Sequence, residues 1–145
     1  MYLHNNKDLF SEVITEVNTK TGIAQSIVEK DYYVSIILKL LAKSNPSTVF
    51  KGGTALSKCF NLIDRFSEDI DITFAEHIGA SRRKKLKYNI LKPISDELGM
   101  PIENWDSIES DKDYNYYLFA FQTVSEDEVP GIQFNVKLET ALVSY

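Results

Sequence analysis

Two aspartates, Asp69 and Asp71, stand one residue apart in the stretch DIDITF. Successive side chains of a β-strand point to opposite faces, so in a strand this spacing places both carboxylates on one face. Two carboxylates this close repel each other unless a cation lies between them. Oxygen ligands favour Mg²⁺ or Mn²⁺ over zinc. The pair therefore predicts a site for a hard divalent cation.

A Gly-Gly pair, Gly52 and Gly53, separates the short apolar stretch TVF from a stretch with helical spacing. Glycines let the backbone approach a ligand closely, and a helix N-terminus offers free N–H groups and a positive dipole end to an anion. Thr54 and Ser57 add hydroxyls, and Lys58 adds a cation. An anion cradle followed by a metal site is what phosphoryl or nucleotidyl transfer requires.

The stretch FKGGTALSKCFNLIDRFSEDIDI resembles the signature of the AbiEii-type nucleotidyltransferases, the toxin components of type IV toxin–antitoxin systems. They belong to the polymerase-β-like nucleotidyltransferase superfamily. The stretch IVEKDYYVSIIL also resembles the N-terminal helix of this family. The resemblance implies transfer of a nucleoside monophosphate from an NTP to an acceptor hydroxyl, either at the 3′ end of tRNA or on a protein. It also implies a cognate antitoxin as partner.

The resemblance implies a role for several positions. Asp69 and Asp71 hold the catalytic metal, and Lys58 and Ser67 contact or support the triphosphate. The NTP lies in a cradle formed by Gly52, Gly53 and Thr54. In the N-terminal helix, the run Glu29-Lys30-Asp31 is expected to be a helix surface that packs toward the loop before DIDITF.

The superfamily normally offers a third carboxylate on a neighbouring strand, and Glu139 is the candidate here. If its strand lies beside DIDITF, Glu139 reaches a metal held by Asp69 and Asp71, with Lys137 near the phosphates. The alternation in IQFNVKLET predicts that one set of residues packs against helices and leaves Lys137 and Glu139 on the open face. That set is Ile132, Phe134, Val136 and Leu138. The alternative is an exposed Lys–Glu pair on an ordinary strand.

A basic run, SRRKKLKYNILK, predicts a contact with a nucleic acid backbone through Arg82, Arg83, Lys84 and Lys85. The alternative is a solvated helix face. The net charge of −5 argues against a protein covered by nucleic acid, although a local basic face remains compatible with it. Nearby aromatic residues either stack bases or fill both faces of a strand. They are Tyr114, Tyr116, Tyr117, Phe119 and Phe121.

The 145 residues predict a single α+β domain, with N-terminal helices at about 7–43 and a catalytic core at about 47–145. The resemblance implies the polymerase-β-like nucleotidyltransferase fold, a small mixed sheet with helices packed on one face. A helix is predicted at 80–98, and the turn-prone SEDEVPG is predicted to join two strands in a hairpin. Family members are usually longer, so an N-terminal fragment is expected.

Composition excludes several classes of protein. The single cysteine, Cys59, rules out an intrachain disulfide and predicts a cytoplasmic location. With one cysteine and two distant histidines, a tetrahedral zinc site is not expected. No apolar run approaches the roughly 20 residues that span a membrane.

Two other functions compete with nucleotidyl transfer. DIDIT fits the D-x-D-x-T pattern of haloacid-dehalogenase-type phosphatases, in which the first aspartate is a nucleophile. However, that pattern normally ends a continuous apolar strand, and RFSE precedes Asp69 here. The other alternative is a non-catalytic nucleotidyltransferase-like module that binds a partner or nucleic acid.

Overall fold

A computed structural model describes residues 2–44, 69–74, 80–108, 114–127 and 129–142. The predicted strand TVF and the predicted helix after the Gly-Gly pair lie outside the described residues. Of the described helices, none is long and apolar enough to cross a membrane.

Two helices open the chain, α1 (Lys7–Thr21) and α2 (Gln25–Lys43). The side chain of Asn6 caps α1 by accepting a hydrogen bond from the N–H of Leu9. Gly22 ends the helix in the left-handed conformation, with φ of 74°. The two helices occupy the range of about 7–43 in which N-terminal helices were predicted.

The predicted helix at 80–98 is confirmed, with a widened turn in its middle. It consists of α3 (Ala80–Lys85), a π-helical segment (Leu86–Leu91) and α4 (Lys92–Leu98), and it ends at Gly99. The π-helical segment lies shortly before Pro93. A proline inside a helix lacks an N–H donor and crowds the preceding turn, and a wider turn relieves that crowding.

The three strands form one sheet in the order β1-β3-β2. They are β1 (Asp69–Phe74), β2 (Asn115–Ala120) and β3 (Asn135–Leu142). β1 is parallel to β3 and β2 is antiparallel to it, so the sheet is mixed. This confirms the predicted α+β class and small mixed sheet, and the antiparallel pairing of the last two strands. The connection between β2 and β3 spans residues 121–134 and is longer than the predicted turn.

One face of the sheet packs into a continuous apolar core with the helices. α1 and α2 contribute Phe10, Ile14, Tyr33, Val34, Ile37, Leu38 and Leu41, and the segment after β1 contributes Leu86, Ile90, Leu91, Ile94 and Leu98. The sheet contributes Ile70, Tyr117, Phe119, Val136 and Leu138. The predicted inward set on β3 is confirmed at Val136 and Leu138. It is wrong at Phe134, which lies just before the strand and is 49% exposed.

Candidate functional site

The strand register brings the two acidic segments of the chain side by side. Asp71 is the partner of Glu139 across the parallel β1–β3 pair, and Asp69 is the partner of Lys137. On the other side of β3, Tyr116 of β2 is the partner of Glu139. Asp71, Glu139 and Tyr116 therefore occupy one line across the three strands, here called the 71–139–116 row. The prediction for Glu139 required its strand to lie beside DIDITF, and the strand does lie there.

The alternation of β2 and β3 explains why this row has an open side. Leu138 and Tyr117 point into the core and are almost fully buried. Lys137 and Glu139 point the other way, with side chains that are 35% and 29% exposed. Tyr116 is 39% exposed. Because side chains of a strand alternate between faces, burial of one set by the helices leaves the other set to solvent.

On this open face Lys137 is held between an acid and a ring. Its Nζ lies 2.8 Å from Oε1 of Glu139 and 5.4 Å from the ring centroid of Tyr116. The ammonium group thus balances the Glu139 carboxylate. A partly exposed pair of this kind contributes little to stability, about 0–1 kcal/mol. The pair therefore does more to fix the positions of the Lys137 and Glu139 charges on the open face than to stabilise the sheet.

The chemistry of the donors agrees with a hard cation. Glu139 offers carboxylate oxygens on the open face, and the register places two further carboxylate residues, Asp71 and Asp69, on the adjacent strand. Oxygen ligands of this type suit Mg²⁺ or Mn²⁺. The side chains of Asp69 and Asp71 lie outside the described part of the structure. Among the side chains that are described, no group of three or more His, Cys, Asp or Glu residues is placed to hold a metal.

The predicted triphosphate cradle lies outside the described residues. This applies to Gly52, Gly53, Thr54, Ser57, Lys58 and Ser67. Their roles stay predictions from the sequence and from the resemblance.

The basic run divides into buried and exposed residues. Arg83 is only 3% exposed, so it does not belong to a surface that meets a nucleic acid backbone. It lies near the hydroxyl of Tyr117, whose pKa burial raises to about 12 even though the Arg83 charge acts in the opposite direction. Lys84 and Lys85 are exposed. The side chain of Arg82 is outside the described part of the structure.

Further along the same segment, two more lysines, Lys87 and Lys92, lie near the ring of Trp105. Nζ of Lys87 lies 4.3 Å from the ring centroid of Trp105, and Nζ of Lys92 lies 5.9 Å from it. Lys92 also pairs with Asp96 at 2.7 Å. Lys87 is thus buried within the protein, whereas Lys92 has a side chain that is 47% exposed and is paired at the surface. Lys84 and Lys85 therefore share the described basic surface with the paired Lys92.

The aromatic run also divides between the two faces of the sheet. Tyr117 and Phe119 are buried, as the ordinary interpretation of the run predicts. Tyr114 and Tyr116 are 50% and 39% exposed, with ring centroids 6.3 Å apart. The sequence placed all of these residues in one β-rich run. Strand alternation was the available signal that separates Tyr116 from Tyr117.

Glu29 was expected on a helix surface and is instead fully buried, with 0% exposure. Its Oε1 accepts hydrogen bonds from the hydroxyls of Thr123 at 2.5 Å and Ser125 at 2.8 Å. Its Oε2 accepts a hydrogen bond from the N–H of Val124 at 2.7 Å. The partner segment in the described part of the structure is the β2–β3 connection, and the loop before β1 lies outside the described residues. Lys30 is also buried, with 4% exposure, so neither residue lies on a solvent-exposed helix surface, and the predicted packing toward the loop before β1 stays a prediction.

A second contact joins the same two segments. The backbone N–H of Ser26, in the first turn of α2, donates to Oδ1 of Asp127 at 3.2 Å. A carboxylate at a helix N-terminus satisfies a free N–H group and favours the helix dipole. Together with Glu29, this contact fixes α2 to the connection that leads into β3, the strand that carries Glu139.

A comparison with protein families gives a match. A family model described as "Nucleotidyl transferase AbiEii toxin, Type IV TA system" matches residues 37–144. No curated protein matches the chain, and no solved structure matches it. The matched range contains β1, β2 and β3, and with them the 71–139–116 row.

Proposed function

Because the chain belongs to the AbiEii family of nucleotidyltransferase toxins of type IV toxin–antitoxin systems, we propose that it transfers a nucleoside monophosphate from an NTP to an acceptor hydroxyl. The observation that carries the proposal is the parallel register of β1 and β3, in which Asp71 is the partner of Glu139 and Asp69 of Lys137. It unites on one sheet the two acidic segments that the sequence separates by about 70 residues.

In this proposal Asp69, Asp71 and Glu139 hold Mg²⁺ or Mn²⁺. A divalent cation at this position would neutralise charge on the phosphate oxygens. Lys137 balances Glu139 at 2.8 Å, and its long, flexible side chain would also allow its ammonium group to contact a triphosphate. The Gly52-Gly53 turn and the hydroxyl of Thr54 would hold the β- and γ-phosphates.

The reaction is an exchange of bonds at the α-phosphorus. The acceptor hydroxyl loses its proton, which passes to solvent, and its oxygen forms a bond to the α-phosphorus. The bond between the α-phosphorus and the oxygen bridging to the β-phosphate breaks, and pyrophosphate leaves. The acceptor is either the 3′ end of tRNA or a protein hydroxyl. The location of the reaction is the cytoplasm, where NTPs and tRNA are both found. Family membership implies a cognate antitoxin.

The test is a transfer assay with the full chain, Mg²⁺ and each of the four NTPs labelled at the α-phosphate. Total tRNA and the protein itself serve as acceptors. Label in RNA or protein, with release of pyrophosphate, supports the proposal. Release of inorganic phosphate without transfer would instead indicate a phosphatase. NTP binding without any turnover would indicate a non-catalytic binding module.

For the acceptor we expect a contribution from the exposed lysines of α3. The double variant Lys84→Gln/Lys85→Gln should bind single-stranded RNA more weakly, because two cations that neutralise phosphates are lost. The slope of log K against log salt should become shallower by about 1.4, since each contact contributes roughly 0.7 for a single strand. Filter binding at several salt concentrations measures this slope.

A matched control is available on α2. Lys39 and Lys43 are also exposed, and they lie four residues apart, on one face of the helix. Lys39→Gln/Lys43→Gln removes the same charge, and we expect it to leave the salt slope unchanged. Equal slopes for the wild type and both double variants would show that Lys84 and Lys85 form an ordinary solvated helix face.

A further inference from the structure

Two exposed tyrosines lie on the open face of the sheet beside the acidic positions. Tyr116 is the direct partner of Glu139, and Glu139 is the partner of Asp71. Neighbouring strands are about 4.8 Å apart, so Tyr116 and Asp71 are separated by roughly 10 Å of sheet. This span is comparable to the distance from the α-phosphate of an extended nucleotide to its base.

The rings of Tyr114 and Tyr116 are not needed for the core. They are 50% and 39% exposed, while Tyr117, the residue between Tyr116 and Leu118, is 1% exposed. The ring centroids of Tyr114 and Tyr116 lie 6.3 Å apart with the planes inclined by 46°. Exposed aromatic rings on a sheet beside a cationic group are a common means of binding nucleobases, because every base offers a π face.

Lys137 connects this aromatic surface to the acidic positions. Its Nζ contacts both the Tyr116 ring, at 5.4 Å, and Glu139, at 2.8 Å. One cation therefore lies between the ring that would take a base and the carboxylate that would lie near phosphate. This is the order of groups along a nucleotide: base at one end, phosphate at the other.

We propose that Tyr116, with Tyr114 beside it, is a nucleobase-stacking platform that sets how a nucleotide lies across the 71–139–116 row. The proposal rests on the proposed function, because the position of the phosphates is taken from the proposed nucleotidyl transfer. The ligand is a nucleobase, which belongs either to the incoming NTP or to the terminal nucleotide of an RNA acceptor. The platform acts by positioning; it does not take part in bond exchange.

The test compares Tyr116→Val, Tyr116→Phe and the wild type. Valine removes the ring and retains a side chain that favours strands. Loss of one base–aromatic stack should weaken binding about 5- to 150-fold, while Tyr116→Phe, which retains the ring, should stay within about twofold of the wild type. Direct binding of NTPs, of inorganic triphosphate and of a single-stranded RNA is measured by calorimetry. Inorganic triphosphate carries no base, so its affinity should not change in any variant.

A control variant removes a similarly exposed ring from elsewhere. Phe134→Ala is suitable, because Phe134 is 49% exposed and has the same phase along the chain as the buried Val136 and Leu138, not that of Lys137 and Glu139. It should bind NTP and RNA like the wild type. Thermal unfolding confirms that each variant is folded.

The results separate the two sources of the base and the two proposals. Weaker NTP binding in Tyr116→Val assigns the platform to the incoming nucleotide, and weaker RNA binding alone assigns it to the acceptor. Unchanged binding of both by folded Tyr116→Val overturns the platform, even if the wild type transfers nucleotides. If the wild type binds nucleotides through Tyr116 but does not transfer them, the proposed transferase function is overturned and the proposed stacking platform is supported. A wild type that binds neither NTP nor RNA overturns both.

Discussion

Replacing Asp71 by asparagine is expected to lower the rate of nucleotidyl transfer by roughly 10³-fold or more, because a metal ligand contributes several kcal/mol to stabilising the charge of the transition state. Asparagine retains the size of the side chain and one oxygen, but it removes the negative charge that attracts a hard cation. Asp71 is the partner of Glu139 in the strand register, so the change falls at the centre of the proposed metal site. The measurement is the initial rate with labelled NTP and Mg²⁺.

The matched control is Asp8→Asn, an exposed aspartate in the first turn of α1. It should transfer nucleotides at the wild-type rate. Circular dichroism and thermal unfolding show whether Asp71→Asn is folded. A folded Asp71→Asn protein with wild-type turnover would be incompatible with a metal site at this position.

The largest expected effect on stability comes from Glu29→Ala. Glu29 is fully buried and accepts three hydrogen bonds from residues 123–125. Alanine removes all three acceptors and leaves a cavity, and breaking hydrogen bonds to a buried charged group typically costs about 3 kcal/mol or more. For a domain of this size the melting temperature should fall by roughly 6–12 °C. Differential scanning calorimetry and urea unfolding measure both quantities.

Glu12→Ala on α1 is the control, since Glu12 is also a helical glutamate but is exposed. We expect its free energy of unfolding to stay within about 0.5 kcal/mol of the wild type. If Glu29→Ala were as stable as Glu12→Ala, the contacts between α2 and the β2–β3 connection would not contribute to holding the fold together.

Periodicity alone predicted most of the described fold. The alternation in DIDITF and IQFNVKLET predicted strands, and the helix predicted at 80–98 is found there. These patterns can be recognised within one element, because the face of a helix or strand that packs against the core must be apolar. The position of Glu139 followed from the same alternation once the strand was assumed to lie beside β1, and the register confirms that assumption.

Burial of charged residues was not predictable in the same way. Glu29 is buried by partners 94 to 96 residues away in the chain, and nothing in the run Glu29-Lys30-Asp31 indicates which segment covers it. Arg83 stands in a run of four cations, yet the helix turns it inward while Lys84 and Lys85 stay outside. A run of charged residues shows that a segment is basic, whereas the direction in which each side chain points depends on how the helix packs.

The central claim, that Asp69, Asp71 and Glu139 together bind one divalent cation, is tested most directly by Mn²⁺ binding. Electron paramagnetic resonance titrations would compare the wild type with Asp71→Asn and Glu139→Gln, each with a non-hydrolysable NTP present. We predict one Mn²⁺ per wild-type chain, with an affinity that falls in each variant by more than the roughly 10- to 100-fold caused by losing an outer-shell partner. Equal Mn²⁺ affinity in all three proteins would contradict the account.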